Sequence, residues 1–579
     1  MTDDRMMDKL RGAPFYLDDS GIEFVTKTLA GMTDDDKLRQ LFCLITYSSD
    51  EDFCRHIAKD VRPGGYMSRT MTTDDCLKTA EYMQKYSDIP MLVAANLESG
   101  GTGVTSDGTT LGKPMAVAAT NEAKYARRLG EVCGAEGSAV GVNLAFSPVV
   151  DIDYNWRNPI TNTRTFGSDP ARVASMGRAF IKEIQKHGVA ATAKHFPGDG
   201  RDERDQHISP SVNDLSVENW DKTYGSVYRA AITAGTKAVM IGHIMLPSYE
   251  RYFSPCIRDD EIMPASVSYN IVTRLLKERL GFGGLVITDS STMAGITAML
   301  PRNKLVPMTI AAGCDMFLFT KDLDEDMTAM RRGYEDGIIT KERLDDAVTH
   351  ILALKASLGL HEKKKAGTLV PQSETAKKII GQRKFRRWSR ETADASVTLV
   401  KAEEGVLPLC PARYKRVLFC PIEKRTDGAS IFASTDSQNG KLRDALIKEG
   451  FSVDEFKAPE GLEGMMQPAA EVTGKYDLII YCTSLATKSN QTTVRIEWAN
   501  PMGANVPVYV HSVPTVFVSL ENPYHMIDVP QVKTFINCYG GSDEVIKALV
   551  EKLCGRSDFR GRSPVDPYAY KKQTNGSLY

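Results

Sequence analysis

No stretch of the 579-residue chain approaches the roughly 18 to 20 consecutive apolar residues that a membrane-spanning helix requires, which excludes a spanning segment of that kind. The N-terminal MTDDRMMDKLRGAPFYLDD is charged and lacks the apolar run of roughly 7 to 15 residues that marks a secretory signal. Neither sign of charge dominates: 72 Lys and Arg stand against 74 Asp and Glu, a net charge of −2, so there is no electrostatic reason to expect a nucleic-acid or membrane partner. The 11 cysteines are scattered from Cys43 to Cys554 without a CxxC pair or a repeated spacing, which argues against a disulfide framework and a zinc module. Reduced thiols and the missing signal together lead to an expectation of residence in the cytoplasm. Tandem repeats and low-complexity tracts are also missing.

What is present is the composition of a globular protein, 42% hydrophobic and 25% charged. From Leu41 to about residue 320, eight short apolar runs alternate with amphipathic segments: LFCLIT, GGYM, PMLVAAN, VNLAFSPVVDI, VAATAKHF, AVMIGHI, GLVITD and DMFLFT. Most are continuous rather than alternating, the pattern of strands buried on both faces. Helix punctuation lies between them. Asp169 can cap a helix with Pro170 at its first position, Val173, Met176, Phe180 and Ile184 recur at spacings of three and four, and Gly188 can end it. Eight strands alternating with helices predict an α/β fold, a (β/α)8 barrel. The competing architecture is a doubly wound open sheet, but no GxGxxG opens the first crossover, which counts against a dinucleotide-binding version.

The segment KERLDDAVTHILALKASLGL carries Leu344, Val348, Ile351, Leu352 and Leu358 on a helical stripe, and apolar content falls away after it. The expected organisation is a barrel over residues 1–360, a linker over 361–378 and a smaller α/β sandwich over 379–579. In that last domain RVLFCPI, YDLIIYCTS, PTVFVSL and TFINCYG read as strands, with helices near 441–449 and 543–554.

In a parallel barrel the C-terminal ends of the strands face one mouth, and catalytic groups collect there. The third run ends in Asn96 and Glu98, the fourth in Asp151 with Arg164 downstream, the fifth in Lys194 and His195, the sixth in His243 and the seventh in Asp289. A Lys and a His at a strand end can hold hydroxyl oxygens. In the loop beyond them, Asp205 and His207 form an Asp-x-His pair in which a carboxylate can orient an imidazole and raise its basicity. Taken alone, such a pair is more often solvated charge, and Asp289 alone is more often a helix cap. An ionised Asp at a strand end can also serve as a nucleophile.

These residues resemble a known family. AKHFPGDG followed by RDER and DQH is similar to the KHFPGHG-x4-DSH signature of family 3 glycoside hydrolases of the β-N-acetylglucosaminidase type, and ITDSSTMAG is similar to their ISDDLSM segment. PVVDIDYNWRNPITNTRTFGSDP and PASVSYNIVTRLLKERLGFGGLVITD extend the likeness over most of residues 30–360, and the C-terminal region resembles the sandwich of two-domain members. The resemblance implies Asp289 as nucleophile, His207 as acid/base and Asp205 as its polarising partner. It implies that Arg164, Lys194 and His195 hold sugar hydroxyls. Asn96 and Glu98 fall in NLESG where the family has DQEGG, so an amide replaces one carboxylate expected to grip the sugar; Asp199 replaces the signature's second His.

The activity implied is removal of terminal β-linked N-acetylglucosamine from a small carbohydrate substrate, with retention and without a cofactor or metal. An imidazole in place of an anionic acid/base would not repel an anionic acceptor, so a phosphorylase is the nearest alternative. A β-glucosidase or β-xylosidase follows, and then a binding protein that has lost turnover. A metal hydrolase built on His195, His207, Asp199 and Asp205 is opposed by Lys194 beside the cluster.

Overall fold

The computed structural model describes residues 10–423, 438–457, 469–498 and 505–569. They divide into two compact units. The first comprises residues up to Leu111, Ala126–Thr161 and Ser168–Arg386; the second comprises Gly112–Tyr125, Asn162–Gly167 and Arg387 onward.

The first unit is the expected (β/α)8 barrel. Its strands are β1 Phe42–Thr46, β2 Gly65–Ser68, β3 Leu92–Ala95, β4 Leu144–Ala145, β5 Ala190–Phe196, β6 Ala238–Ile241, β7 Leu285–Thr288 and β8 Phe317–Leu318, one in each of the eight apolar runs. They follow one another around the sheet in parallel, β8 pairs with β1 through Phe42 and Phe317, and a parallel bridge between Ile287 and Met316 joins β7 to β8 and closes the ring. Every residue of β2, β3, β5, β6 and β7 is buried, which is why these strands read as unbroken apolar runs.

The helix after β4 spans Pro170–Gln185, with the Asp169 side chain accepting from the Ala171 N–H and Gly188 following at φ +71°. Val173, Met176, Phe180 and Ile184 are buried, each contributing roughly 1.5–3 kcal/mol of transfer free energy. The helix Lys341–Ser357, capped by Thr340, buries Leu344, Val348, Ile351 and Leu352. At the N-terminal ends of β7 and β8, buried Asp315 accepts from the Val286 N–H at 2.9 Å and pairs with Lys277 at 3.0 Å and with Arg343. Burial alone would raise the Asp315 carboxyl, but Lys277, His350 and Arg343 more than offset it and hold the group far below the usual carboxylate range. Asp315, Asp346 and His350 have a spacing that could hold a metal ion, yet Lys277 and Arg343 already supply the positive charge at Asp315.

Residues 361–378, expected as a linker, instead contain the helices Leu360–Lys365 and Ser373–Ile379 and group with the first unit, which runs on to Arg386. Ala376 packs with Leu77 and Ala139, so this polar stretch is anchored by a few apolar contacts that its composition conceals.

The second unit contains a six-stranded sheet of β9 Thr398–Lys401, β10 Arg416–Ile422, β11 Ser452–Glu455, β12 Leu478–Thr483, β13 Thr515–Ser519 and β14 Thr534–Asn537, in the order β9-β14-β13-β12-β10-β11. Only β9 is antiparallel to its neighbour. Alternate residues feed two cores: Val417, Ile480 and Val518 face one layer, while Ile479, Phe517 and Phe535 face the other. Helices Gln438–Lys448 and Asp543–Leu553 match the two expected ones. No helix among the described residues is long and apolar enough to cross a membrane.

Candidate active site

The mouth of the barrel is built where β5, β6 and β7 end. The backbone at Asp289 is fixed from both sides: its N–H donates to the Ile241 carbonyl at 2.8 Å, and the N–H of Ser291 donates to the Leu318 carbonyl at 2.9 Å. Of the two Asp289 carboxylate oxygens, Oδ1 accepts from the Ser290 N–H at 2.7 Å, and Oδ2 lies 3.9 Å from His195 Nε2. Burial by itself would raise this carboxyl, but the imidazoles of His195, His243 and His207, with the Ser290 N–H, hold it below the usual carboxylate range. At neutral pH it is ionised.

β5 ends in Lys194 and His195. The Lys194 ammonium, buried, pairs with Glu98 at 2.7 Å. His195 Nδ1 donates to Asp151 Oδ2 at 2.7 Å, which turns Nε2 toward Asp289. The chain then turns sharply through Gly198 and Gly200, at φ +115° and +103°. A Cβ at these positions would lie 2.1 Å from the Tyr224 ring and 2.0 Å from the Ile152 carbonyl oxygen, so only glycine fits this turn.

The loop beyond carries the Asp-x-His pair. Asp205, with a fully buried side chain, accepts at one oxygen from both the N–H and the Nδ1–H of His207, at 2.8 and 2.7 Å. The His207 side chain is 31% exposed, so the imidazole is oriented from behind and reachable from solvent. His243 Nε2 faces the Ser290 carbonyl at 2.9 Å, which can only accept, so Nδ1 accepts from the Ser266 hydroxyl at 2.9 Å. Burial pushes His243 down, in keeping with a neutral ring.

The structure therefore brings Asp289, His195 and His207 into one electrostatic neighbourhood and joins Lys194 to Glu98. Asn96 is exposed at the end of β3. Arg164 lies in the short 3-10 turn Asn162–Arg164, which belongs to the second unit. Three residues acquire a place that the sequence left open. Asp151 orients His195, His243 packs against the Asp289–Ser290 turn, and Gln206 ties the Asp-x-His loop to the barrel. The first two are polar residues at strand ends, a signal visible in the sequence; Gln206 carried none beyond its position inside the pair.

A (β/α)8 barrel with an ionised carboxylate at a strand end and a carboxylate-oriented imidazole on the neighbouring loop offers a nucleophile and a proton donor of the kind a hydrolytic enzyme uses. Residues 35–354 match the Glycosyl hydrolase family 3 N terminal domain, and the chain belongs to glycosyl hydrolase family 3. It is 52% identical over 566 residues, 98% of its length and 99% of the relative's, to a beta-N-acetylglucosaminidase/beta-glucosidase of Cellulomonas fimi. Among solved structures it is similar to the beta-glucoside phosphorylase BglX, with a TM-score of 0.90 and 41% identity, covering 97% of this chain and 99% of that one. A family 3 beta-N-acetylglucosaminidase from Paenibacillus sp. str. FPU-7 shares the fold at a TM-score of 0.77 and 24% identity, over 93% and 99% of the two chains.

Proposed function

We propose that the chain is a retaining, exo-acting enzyme that releases terminal β-linked N-acetylglucosamine through a covalent glycosyl-Asp289. The observation that carries this reading is an ionised Asp289, held low by the imidazoles of His195, His243 and His207, together with a dyad in which His207 Nδ1 lies 2.7 Å from Asp205 Oδ1. In the first step Asp289 Oδ2 attacks the anomeric carbon, the glycosidic C–O bond breaks, and the proton of His207 Nε2 passes to the departing oxygen. In the second step His207 accepts a proton from the acceptor, whose oxygen attacks the anomeric carbon as the Asp289 ester bond breaks. Two inversions give net retention. Asp205 keeps Nδ1 protonated throughout, so Nε2 is the nitrogen that gives and takes the proton. Lys194 and His195 are oriented by Glu98 and Asp151 to receive sugar hydroxyls, with Asn96 and Glu98 as further recognition residues.

A second reading, in which phosphate is the acceptor, is supported by the likeness to a beta-glucoside phosphorylase over almost the whole chain. The chemistry agrees. A carboxylate acid/base facing an incoming phosphate across about 5 Å would cost roughly 3 kcal/mol per charge pair at an effective dielectric near 20; a neutral imidazole removes that cost. The Cellulomonas relative's name joins glucosidase to N-acetylglucosaminidase activity, which supports tolerance at the sugar's second carbon.

One experiment tests both readings: aryl β-N-acetylglucosaminide and aryl β-glucoside are supplied with and without phosphate, and the products are separated. Free N-acetylglucosamine as the main product supports hydrolysis, and the sugar 1-phosphate supports phosphorolysis. Turnover of neither glycoside, or an inverted product, would remove the glycosyl-Asp289 mechanism.

A further inference from the structure

Asp199 is buried at the centre of the turn between β5 and the loop that carries His207, and the reaction steps above do not use it. Its carboxylate is fully engaged as an acceptor. Oδ1 takes the Gly200 N–H at 2.7 Å and the Asn158 side-chain N–H at 2.9 Å, and Oδ2 takes the Gln206 side-chain N–H at 3.3 Å. Gln206 stands between the two members of the Asp205–His207 dyad, and its other end is also fixed, because Gln206 Oε1 accepts from the His243 backbone N–H at 2.8 Å.

We propose that Asp199 is a positioning residue for proton transfer: through the Gln206 carboxamide it holds the His207 loop at the height over Asp289 that the leaving group needs. The inference rests on the reading of His207 as the acid/base.

The polarity of this chain of bonds is fixed at both ends. The His243 N–H can only donate, so Gln206 must turn its C=O toward β6 and its NH₂ toward Asp199. Position 199 must then accept three N–H groups and donate none. A carboxylate meets that requirement, and the imidazole that the family signature has at this position does not. Burial, and then the Asp151 carboxylate, push the Asp199 carboxyl up to about 7, while the Gly200 N–H, His195 and the Asn158 amide act in the opposite sense and favour its charged form. Gln206 is itself fully buried, and a Cβ on Gly295 would lie 2.2 Å from its backbone oxygen. The loop is thus clasped by a side-chain tether on one side and a close glycine contact on the other.

The test uses the full-length enzyme and kcat/KM on two β-N-acetylglucosaminides, one with a poor alkyl or phenyl leaving group and one with 2,4-dinitrophenol, which departs without a proton. Asp199→Asn sets an NH₂ against the Gln206 NH₂. It should lower kcat/KM about 10- to 100-fold on the poor leaving group, and no more than about 3-fold on the dinitrophenyl substrate. Gln206→Met, which keeps the shape and cuts the tether, should show the same selectivity. The double variant Asp199→Asn/Gln206→Glu reverses the polarity of the bond, while the introduced carboxylate can still accept from the His243 N–H, and it should return both values to within about 3-fold of the parent. Equal losses on both substrates, or a double variant no better than Asp199→Asn, would overturn the inference. His207→Ala is the control. If it shows the steep leaving-group dependence while Asp199→Asn and Gln206→Met behave like the parent, the positioning role alone falls. If His207→Ala shows none, the acid/base reading falls and takes the positioning role with it.

Discussion

Replacing Asp289 with Asn removes the attacking oxygen while disturbing little else. The Asn carbonyl can still accept the Ser290 N–H that Asp289 Oδ1 takes at 2.7 Å, and the backbone bond from residue 289 to the Ile241 carbonyl does not involve the side chain. The change in unfolding free energy should therefore stay within about 1 kcal/mol. The effect on chemistry should be far larger. A carboxylate held against the anomeric carbon acts at an effective concentration on the order of 10⁵ M or more, and none of the imidazoles around it is placed to substitute as the nucleophile. A loss of at least about 10⁴-fold in kcat is expected, which is about 5.4 kcal/mol at 1.36 kcal/mol per tenfold. The assay is steady-state turnover of 4-nitrophenyl β-N-acetylglucosaminide beside thermal melting of the same preparation. Intact-mass measurement after a 2-fluoro glycosyl fluoride then shows whether the parent gains one sugar and the variant none. Turnover within tenfold of the parent, or a peptide map placing the label on another carboxylate, would refute the assignment.

Further outcomes are expected. Asp205→Ala should show a weaker form of the His207→Ala leaving-group dependence, because the imidazole remains but loses its orienting partner; equal losses on good and poor leaving groups would mean that the loop only positions substrate. Lys194→Met leaves Glu98 without its buried counter-charge and should raise KM more than it lowers kcat, read from saturation curves with the aryl N-acetylglucosaminide. Gly295→Ala forces a Cβ to within 2.2 Å of the Gln206 carbonyl oxygen and should reduce activity toward poor leaving groups with little change in KM. Asp315→Asn should destabilise the fold by about 3–5 kcal/mol at pH 7 in a urea titration, because Lys277 and Arg343 lose their shared anion. The sign with pH follows from the lowered Asp315 carboxyl: its stabilisation is complete above the unfolded value near 3.9 and fades as pH falls below it, so the parent should lose stability below about pH 4 more steeply than Asp315→Asn.

The barrel was legible because a strand buried on both faces has to be apolar throughout, and each of the eight runs proved to hold a strand. In the second unit β9 and β11 escaped the same reading. β11, SVDE, is an edge strand with mostly exposed side chains, and β9 pairs on one side only, so neither carries an unbroken apolar run. The polar stretch after residue 360 read as a linker because its helices bury few side chains apart from Leu360, His361 and Ala376. At the site, Asp289 and the Asp205–His207 pair stood out through residue type and spacing. Asp151 was visible as a polar strand-end residue, but its role behind His195 was not, nor was that of Gln206 behind His207, because each acts through a contact between residues on different loops or strands that sequence order does not reveal.

No single cut through this chain separates its two units. Residues 112–125 and 162–167 sit within the first unit's stretch of sequence but fold with the second: Lys113 pairs with Glu521, the Ala119 carbonyl accepts the Arg562 N–H at 2.8 Å, and Asn162 donates to Asn522 at 3.1 Å. A chain stopped at Arg386 would keep both inserts, which pack on each other, and discard Glu521, Asn522 and Arg562, their partners in the rest of that unit. Exchanging the last two hundred residues with those of a relative would likewise transplant a sheet without the two inserts that complete it. The second unit is threaded through the gene of the first, so in this chain a truncation or exchange at a single boundary divides the second unit.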